Sequence, residues 1–458
     1  MDKNELYKAT QNASDIYTFI VSIFICLDKV KLSRIQSTYN KALSNNAYSK
    51  HLIKVENIIH DLPIYNYYEF NVWLAIWLQE LNSSSLETIV YAFHSLLRLD
   101  GIFYEFYKSN KCIYDKGPFG QIDGYSLFLK KGSFYLDTDL SKNDIRRGRQ
   151  TVEFSPNSLN KKFSSFEIIR DVDLHGYKPK VKQYNISNEF GDNITFALAP
   201  LNNKGWCIPK QNHTTKQFTV EYIKEKIKNH NNNILNVIDK SNNESADIIV
   251  LPELSLNVLT EEIVTDYLLK NYIPNLKLCF LGSKWDNNVN ESLLMSSNGT
   301  VLLKQSKKSA FSFYDKKEKE TYTEDIDTQN KDVYFIDING LGRLAYLICA
   351  DFNDEDLISV CSVLHADFIF VSAYTNDTKL MNDTAEELAK RRATITVLSN
   401  ACAAIPEDKL AKTYCNFVEV PLIFPGELFA QKLSCSFPCK TNGNCEKCLT
   451  SSDLKKVL

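Results

Sequence analysis

The sequence predicts a layered α/β domain preceded by a mainly helical region. Three observations carry this. From about residue 193 onward, short apolar runs of strand length alternate with amphipathic stretches of helical period. The two ends of the apolar runs Ala246–Leu251 and Leu344–Ile348 carry chemically capable residues, Glu253 and Cys349. Before residue 115, by contrast, the apolar positions recur with helical spacing and no strand-like run interrupts them. With 458 residues the chain has room for two domains or more. Its 44% hydrophobic and 12% aromatic content is that of a globular protein. A net charge of −3 and a pI near 6.2 give no support to nucleic-acid binding driven by bulk charge. The local run Arg146, Arg147 and Arg149 reads as a solvated loop.

Residues 1–115 read as a helical domain. Ile16–Leu27 is apolar but too short to span a bilayer, so it is expected to be a buried helix. The acidic start and the lack of a small-residue cleavage site argue against a signal peptide, and the expected location is the cytoplasm. There the twelve cysteines are expected as thiols or metal ligands. Phe70, Trp73, Leu74, Trp77 and Leu81 lie at helical spacing, and Leu86–Leu99 repeats the pattern behind the N-cap candidates Ser83–Ser85. Residues 116–192 read as a connector with short hairpins: glycines at 117, 120, 124 and 132 punctuate β-like runs at Tyr125–Leu129 and Ser133–Leu136. His175 there reads as a surface residue.

The α/β region spans 193–430. Its expected elements are a strand at Ile194–Ala199, a long helix at Lys216–Asp239, a strand at Ala246–Leu251, a helix at Glu261–Lys270 and a strand at Leu276–Gly282. A hairpin follows, turning at Asn298-Gly299. Then come the strand Leu344–Ile348, a helix bearing Leu357, Val360, Cys361 and Leu364, the strand Phe368–Ser372, the helix Thr384–Ala393 and the strand Thr394–Leu398.

Three polar positions stand at the ends of these apolar runs: Glu253 after ADIIVLP, the pair Lys307 and Lys308 after the hairpin, and Cys349 after RLAYLI. A thiol at a strand end just before a helix is placed for nucleophilic attack, because a helix N-terminus favours the thiolate. A carboxylate and an ammonium nearby supply a base and an oxyanion partner.

These stretches resemble the nitrilase, or carbon–nitrogen hydrolase, superfamily. ADIIVLPEL is similar to the family's strand carrying the general base, VNESLLMSSNGTVLLKQSKKSAF to its lysine hairpin, and LICADFNDEDL to its nucleophile elbow. HADFIFVSAY and RRATITVLSNACA follow in the family's order. The resemblance covers about residues 190–430, roughly half the chain. It implies an αββα sandwich and a Cys–Glu–Lys triad of Cys349, Glu253 and one of the two lysines. Counting from Gly299 favours Lys307; counting toward Phe311, Tyr314 and Tyr322 favours Lys308, and Lys308 is the residue chosen. A second glutamate after the lysine is expected at Glu320, with Glu318 the alternative. The elbow departs from the family pattern: Asn353-Asp354-Glu355-Asp356 stands where a proline-containing turn is usual. The resemblance further implies hydrolysis of an amide, nitrile or carbamoyl C–N bond of a small molecule through a thioester, no organic cofactor, and a homodimer or larger homo-oligomer. The alternative is a catalytically silent scaffold, an oligomerisation or interaction module such as occurs in bacterial anti-phage systems. Nothing in the sequence reads as a nucleic-acid or membrane site.

The tail, residues 431–458, holds Cys435, Cys439, Cys445 and Cys448 as C-x3-C-x5-C-x2-C. Four cysteines this close predict a tetrahedral structural zinc site.

Overall fold

The computed structural model describes residues 1–62, 67–109, 115–130, 158–186, 190, 193–201, 205–271, 273–392, 394–405, 414–419, 431–434 and 450–455. The chain divides into two units. The first comprises the described residues of 1–131, 153–176 and 180–183; the second holds Tyr177–Pro179 and those from Tyr184 onward. The expected connector is thus shared between the two units. Its runs Ser133–Leu136 and Lys142–Gln150 lie outside the described residues.

In the first unit, helices run at Lys3–Thr10, Ile16–Asp28, Leu32–Leu43, Asn46–His60, Tyr67–Ser83 and Thr88–Ser109. The apolar run starting at Ile16 is a buried helix, begun by a reciprocal cap between Asp15 and Thr18. The aromatic stripe is core: Trp77 is fully buried, its indole N–H donates to Ser95, and the Tyr91 hydroxyl donates to the Trp77 carbonyl. Strands β1 (Asp115–Gly117), β2 (Phe119–Ile122), β3 (Tyr125–Leu129) and β4 (Phe166–Arg170) follow, with β2-β3-β4 forming one antiparallel sheet. The Asp100 carboxylate accepts the backbone N–H groups of Ser164 and Ser165 and so ties this sheet to the last helix. Strand β5 (Lys178–Tyr184) pairs with β1 through Val181 and Lys182. No helix among the described residues is long and apolar enough to cross a membrane.

The second unit is an αββα sandwich. Its strands are β6 (Asn193–Leu198), β7 (Cys207–Asn212), β8 (Gln217–Tyr222), β9 (Ile248–Val250), β10 (Leu278–Asp286), β11 (Val289–Ser296), β12 (Val301–Ser306), β13 (Ser312–Asp315), β14 (Glu320–Glu324), β15 (Asp332–Ile338), β16 (Gly342–Ile348), β17 (Phe368–Ala373), β18 (Ile395–Asn400), β19 (Tyr414–Glu419), β20 (Gln431–Ser434) and β21 (Thr450–Lys455). One sheet runs β12-β11-β10-β9-β6-β21, the other β15-β16-β17-β18-β19-β20. Each has a parallel centre, β6-β9-β10 and β16-β17-β18, flanked by antiparallel strands. The parallel strands are buried on both faces, which is why the sequence shows them as continuous apolar runs.

The two sheets meet in a dry core. Phe280 of β10 stacks on Phe370 of β17 with ring centroids 3.8 Å apart, and Phe196, Ile248, Tyr346 and Val397 extend the cluster. The helices Ile227–Asn243 and Val258–Lys270 cover the outer face of the first sheet, burying Ile234, Val237, Ile238, Val264 and Leu268. The helices Glu355–Val363 and Lys379–Arg392 belong with the second sheet, the latter packing on β18.

One expectation fails. Lys216–Asp239 is not a single helix: Gln217–Tyr222 is β8, and the α-helix starts at Ile227. Phe218, Val220 and Tyr222 alternate as a strand requires, but Val220, Ile223 and Ile227 also satisfy a helical spacing, so the two periods merge in the sequence. β8 joins β13-β14-β8-β7, a small separate sheet.

A buried hydrogen-bond chain ties the two large sheets together at the strand ends. The Ser372 hydroxyl donates to the Leu251 carbonyl at 2.6 Å and lies 2.8 Å from the Tyr346 hydroxyl, which accepts the Gly282 N–H at 2.9 Å. Gly282 has φ +77°, and a Cβ there would stand 2.0 Å from the Pro252 carbonyl oxygen. Gly299 has a similar φ, +79°, but its Cβ would meet chiefly the exposed Leu269 side chain, with the nearest backbone atom, Leu269 N, at 3.3 Å rather than 2.0 Å. Both Gly→Ala substitutions incur the left-handed backbone cost of about 1–2 kcal/mol. The expected outcome in urea unfolding is that Gly282→Ala loses clearly more stability than Gly299→Ala, because it also displaces the Pro252-Glu253 turn; equal losses would contradict this packing.

Candidate active site

Glu253, Lys307 and Cys349 meet at the ends of β9, β12 and β16. Glu253 is the third residue past β9, and its backbone N–H donates to the Ala373 carbonyl at the end of β17. The turn after it is held from outside: the Trp206 indole N–H donates to the Leu254 carbonyl at 2.9 Å, and His230, stacked on Trp206 at 3.7 Å, bonds the Ser255 carbonyl at 2.6 Å.

Lys307 is the first residue past β12. The β11–β12 register pairs Ser292 with Gln305 and Glu291 with Ser306, and the Lys307 N–H donates to the Asn290 carbonyl at 2.7 Å. Lys307 therefore shares the face of Gln305, and Asn290 stands opposite it. Its ammonium lies 2.8 Å from Glu253 and 2.8 Å from Glu324, and all three side chains are buried. Asn290 donates to Glu253 Oε1 at 2.8 Å and to Glu324 Oε1 at 3.3 Å. The Phe311 N–H donates to Glu324 Oε2 at 2.9 Å.

This corrects two sequence choices. The lysine paired with the glutamate is Lys307, not Lys308. Lys308 makes no ion pair with Glu253: its backbone N–H donates to Asp351, and burial lowers its ammonium pKa to about 8. The second glutamate in the cluster is Glu324, not Glu320 or Glu318. Glu320 is half-buried and pairs with Lys216, while Glu318 sits in the exposed β13–β14 turn with its N–H on Asp315. Glu320, Tyr322 and Glu324 share one face of β14, and the hairpin carries the inner end four residues further than a count from the lysine implies. The signal was present in the alternation of ETYTE. Asn290 was also missed as a site residue, although the hairpin register places it.

Cys349 opens a short 3₁₀ turn after β16 and has φ +46°. A non-glycine residue in this region is strained by about 1–3 kcal/mol, a cost found where a side chain must be aimed. Burial pushes the thiol well above its ordinary pKa and the Glu253 charge adds to this; the Lys307 charge and the Tyr374 backbone N–H oppose it. Glu253 is itself raised, first by burial and further by Glu324, against the pull of Lys307. Burial disfavours the Lys307 charge, but Glu253, Glu324 and Cys349 outweigh it and hold its pKa well above the usual lysine value.

Two acidic residues after Cys349, Asp351 and Asp354, clamp the lysine segment. Asp351 Oδ1 accepts the N–H groups of Lys308 and Ser309, both at 2.8 Å. Asp354 Oδ2 accepts the Ser309 and Tyr177 hydroxyls at 2.7 and 2.8 Å, while its Oδ1 caps the following helix. Cys349, Glu253, Lys307 and Glu324 line a cavity of about 140 Å³. The rest of its wall is apolar and comes largely from β7, β8 and the Phe311–Phe313 segment. The arrangement is able to move a proton between a thiol and a carboxylate beside a fixed cation.

Cys435, Cys439, Cys445 and Cys448 lie outside the described residues; among the described residues no cluster of His, Cys, Asp and Glu is set to hold a metal.

No family model matches the chain, and no curated protein matches it. Among solved structures, the chain is similar to a glutamine-dependent NAD+ synthetase from Acinetobacter baumannii in complex with ADP, at 14% identity and a TM-score of 0.38 over 58% of this chain and 48% of that one. It thus spans about half the length of that synthetase. It is also similar to a mutant of the amidase from Nesterenkonia sp. AN1 in complex with butyramide (12% identity, TM-score 0.38, 57% and 91% covered) and to the C. elegans NitFhit protein (12%, 0.36, 58% and 62%).

Removing the charge of Lys307 leaves two buried carboxylates facing each other, so Lys307→Met is expected to cost about 3–5 kcal/mol in urea unfolding. Lys308→Met, which removes an ammonium that burial already disfavours, is expected to cost under about 1 kcal/mol. Similar losses for the two variants would contradict the assignment. A second outcome concerns acid. Burial lowers the His230 pKa from 6.5 to about 4, against the opposing effect of its bond to Ser255. The stability this neutral imidazole contributes is present above pH 6.5 and is lost as pH falls toward 4. His230→Phe is expected to be less stable at neutral pH and to show a flatter acid slope in unfolding titrations.

Proposed function

We propose that the protein hydrolyses the C–N bond of a small carboxamide through a thioester on Cys349. The observation that carries this reading is the convergence of a strained, cavity-facing thiol with a buried carboxylate whose pKa is raised and a lysine fixed between two carboxylates. The order of motifs along the sequence supports it as well.

In this mechanism Glu253 takes the thiol proton as Cys349 sulfur attacks the amide carbon. A thiol pushed upward by burial needs such a base at the moment of attack, and a carboxylate whose pKa burial raises is better suited to accept and return the proton. The C=O π bond opens and its oxygen becomes an oxyanion beside Lys307, a stabilisation worth about 3 kcal/mol per well-placed donor. The oxyanion collapses, the C–N bond breaks, and protonated Glu253 delivers its proton to the departing amine. Water, deprotonated by Glu253, then attacks the thioester and releases the acid and the thiol. Glu324 and Asn290 act on Lys307 and Glu253: they fix where the cation and the base sit. Asp351 and Asp354 hold the lysine segment against the elbow.

The test is mass spectrometry of the intact protein quenched during incubation with short primary amides, together with ammonia release. The wild type is expected to show an acyl adduct on Cys349. Cys349→Ser and Glu253→Gln are expected to lose it and to lower ammonia release at least about 100-fold. Undiminished ammonia release by Cys349→Ser would defeat the reading.

A further inference from the structure

The turn that carries Glu253 holds a strained residue of its own. Leu254, directly after the base, has φ +58°, a backbone region that is costly for a residue with a side chain. Such a conformation persists only where its surroundings fix it. Three carbonyls of the turn are gripped. The Pro252 carbonyl accepts the Ser255 hydroxyl at 2.7 Å, within the turn itself. The Leu254 carbonyl accepts the Trp206 indole N–H, and the Ser255 carbonyl accepts a hydrogen bond from His230 Nε2. A carbonyl only accepts, so this bond puts a proton on Nε2. Both rings are buried, at 2% and 3% exposure, and stack on each other. Trp206 is held on further sides: its own carbonyl accepts the Ile223 N–H at 2.9 Å, and its ring centroid lies 5.1 Å from that of Tyr222.

We infer that Trp206 and His230 are positioning residues for the base: by holding the Leu254 and Ser255 carbonyls they keep the strained turn from relaxing, and so keep the Glu253 carboxylate on Lys307 in the cavity it shares with Cys349. The inference rests on the proposed role of Glu253 in taking the thiol proton. Ahead of Leu254 the turn is tied by the Glu253 N–H to Ala373, a long bond of 3.3 Å, and by the Leu254 N–H to the Ser283 hydroxyl at 3.0 Å. Past that point its course depends on the two carbonyls. Without the indole N–H, the buried Leu254 carbonyl loses its donor, and Leu254 is free to leave the left-handed region. The 254–255 peptide then rotates, and Glu253, one residue back, moves with the chain. Its carboxylate lies 2.8 Å from Lys307, so a small shift lengthens that pair. Misplacement by about 1 Å is enough to slow a reaction step ~100-fold. Trp206 directly precedes β7, whose residues line the cavity, and His230 lies on the helix Ile227–Asn243. The pair therefore joins the base to the cavity wall on one side and to the outer helix layer on the other.

The test follows the rate of Cys349 alkylation by iodoacetamide against pH in the full-length protein, with urea unfolding of each variant alongside. Trp206→Phe keeps a ring against His230 and removes only the N–H. His230→Leu removes the second donor, and His230→Gln keeps one. Gly299→Ala, at the far hairpin turn, is the control for lost stability alone. In Trp206→Phe and His230→Leu the Cys349 rate at neutral pH is expected to fall about tenfold or more. The acid limb of the profile is expected to move up by about one pH unit, because Lys307 lowers the Glu253 pKa and a carboxylate drawn away from it loses that effect. His230→Gln is expected to recover most of the rate, and Gly299→Ala to keep the wild-type profile. A purely structural role would lower stability in urea and leave the limb where it is. An unmoved limb in either folded variant, or a His230→Gln no faster than His230→Leu, overturns the inference; should Trp206→Phe fail to fold, the two His230 variants decide it. Glu253→Gln separates this from the reading beneath it. If Glu253→Gln is slow while Trp206→Phe and His230→Leu match Gly299→Ala, the positioning pair falls and the base stands; if Glu253→Gln reacts as fast as the wild type, the base falls and the pair with it.

Discussion

A buried lysine ammonium is tolerable only where carboxylates surround it, and that constraint organises this site. Lys307 lies between Glu253 and Glu324 at 2.8 Å from each. The three come from different places: the end of β9, the end of the β11–β12 hairpin, and β14. For the charges to balance, all three segments must arrive together. Asn290 helps by bridging the two carboxylates. Removing the ammonium would set two anions against each other in a low dielectric, where repulsion is strong. Burial raises the Glu253 pKa and Glu324 adds to it, while Lys307 and Asn290 hold it back.

The sandwich delivers Cys349 to this cluster. Strands β16 and β17 bring Ile348 and Ser372 into register, and Ser372 and Tyr346 reach across to Leu251 and Gly282 of the facing sheet. The bond chain therefore joins the segment before Cys349 to the segment before Glu253. Asp351 and Asp354 then fasten the lysine segment to the elbow through Lys308 and Ser309. Asp354 of the unusual acidic turn thus adds to the clamp that Asp351 makes on the segment after Lys307. Strain at Cys349, φ +46°, is borne by this surrounding network.

Much of the sandwich was legible in the sequence because doubly buried parallel strands are continuous apolar runs. β9, β16, β17 and β18 all show this, and the Asn298-Gly299 turn marks the β11–β12 hairpin. Glu253 and Cys349 stand out because polar residues at the ends of such runs are conspicuous. Lys307 was harder: two adjacent lysines differ only in which face they take, and hairpin register decides that. Glu324 was hidden because the β13–β14 hairpin was not recognised, so sequence distance replaced geometry as a guide. The β8 strand was masked by overlap of its alternation with the helix that follows. The cavity wall was illegible for the same reason, since β7, β8 and β13 build it from sequence-distant residues whose proximity only pairing establishes.

The central claim is that Glu253, set by Lys307, activates a thiol that burial alone would silence. The most direct measurement is site-resolved alkylation by iodoacetamide, a small uncharged reagent, at several pH values on the wild type and Glu253→Gln. The account predicts that Cys349 is modified ahead of the other buried described cysteines, Cys207, Cys279, Cys361 and Cys402 among them, at neutral pH, and that Glu253→Gln abolishes this advantage. Modification of Cys349 no faster than the others, or equally fast in Glu253→Gln, would contradict it.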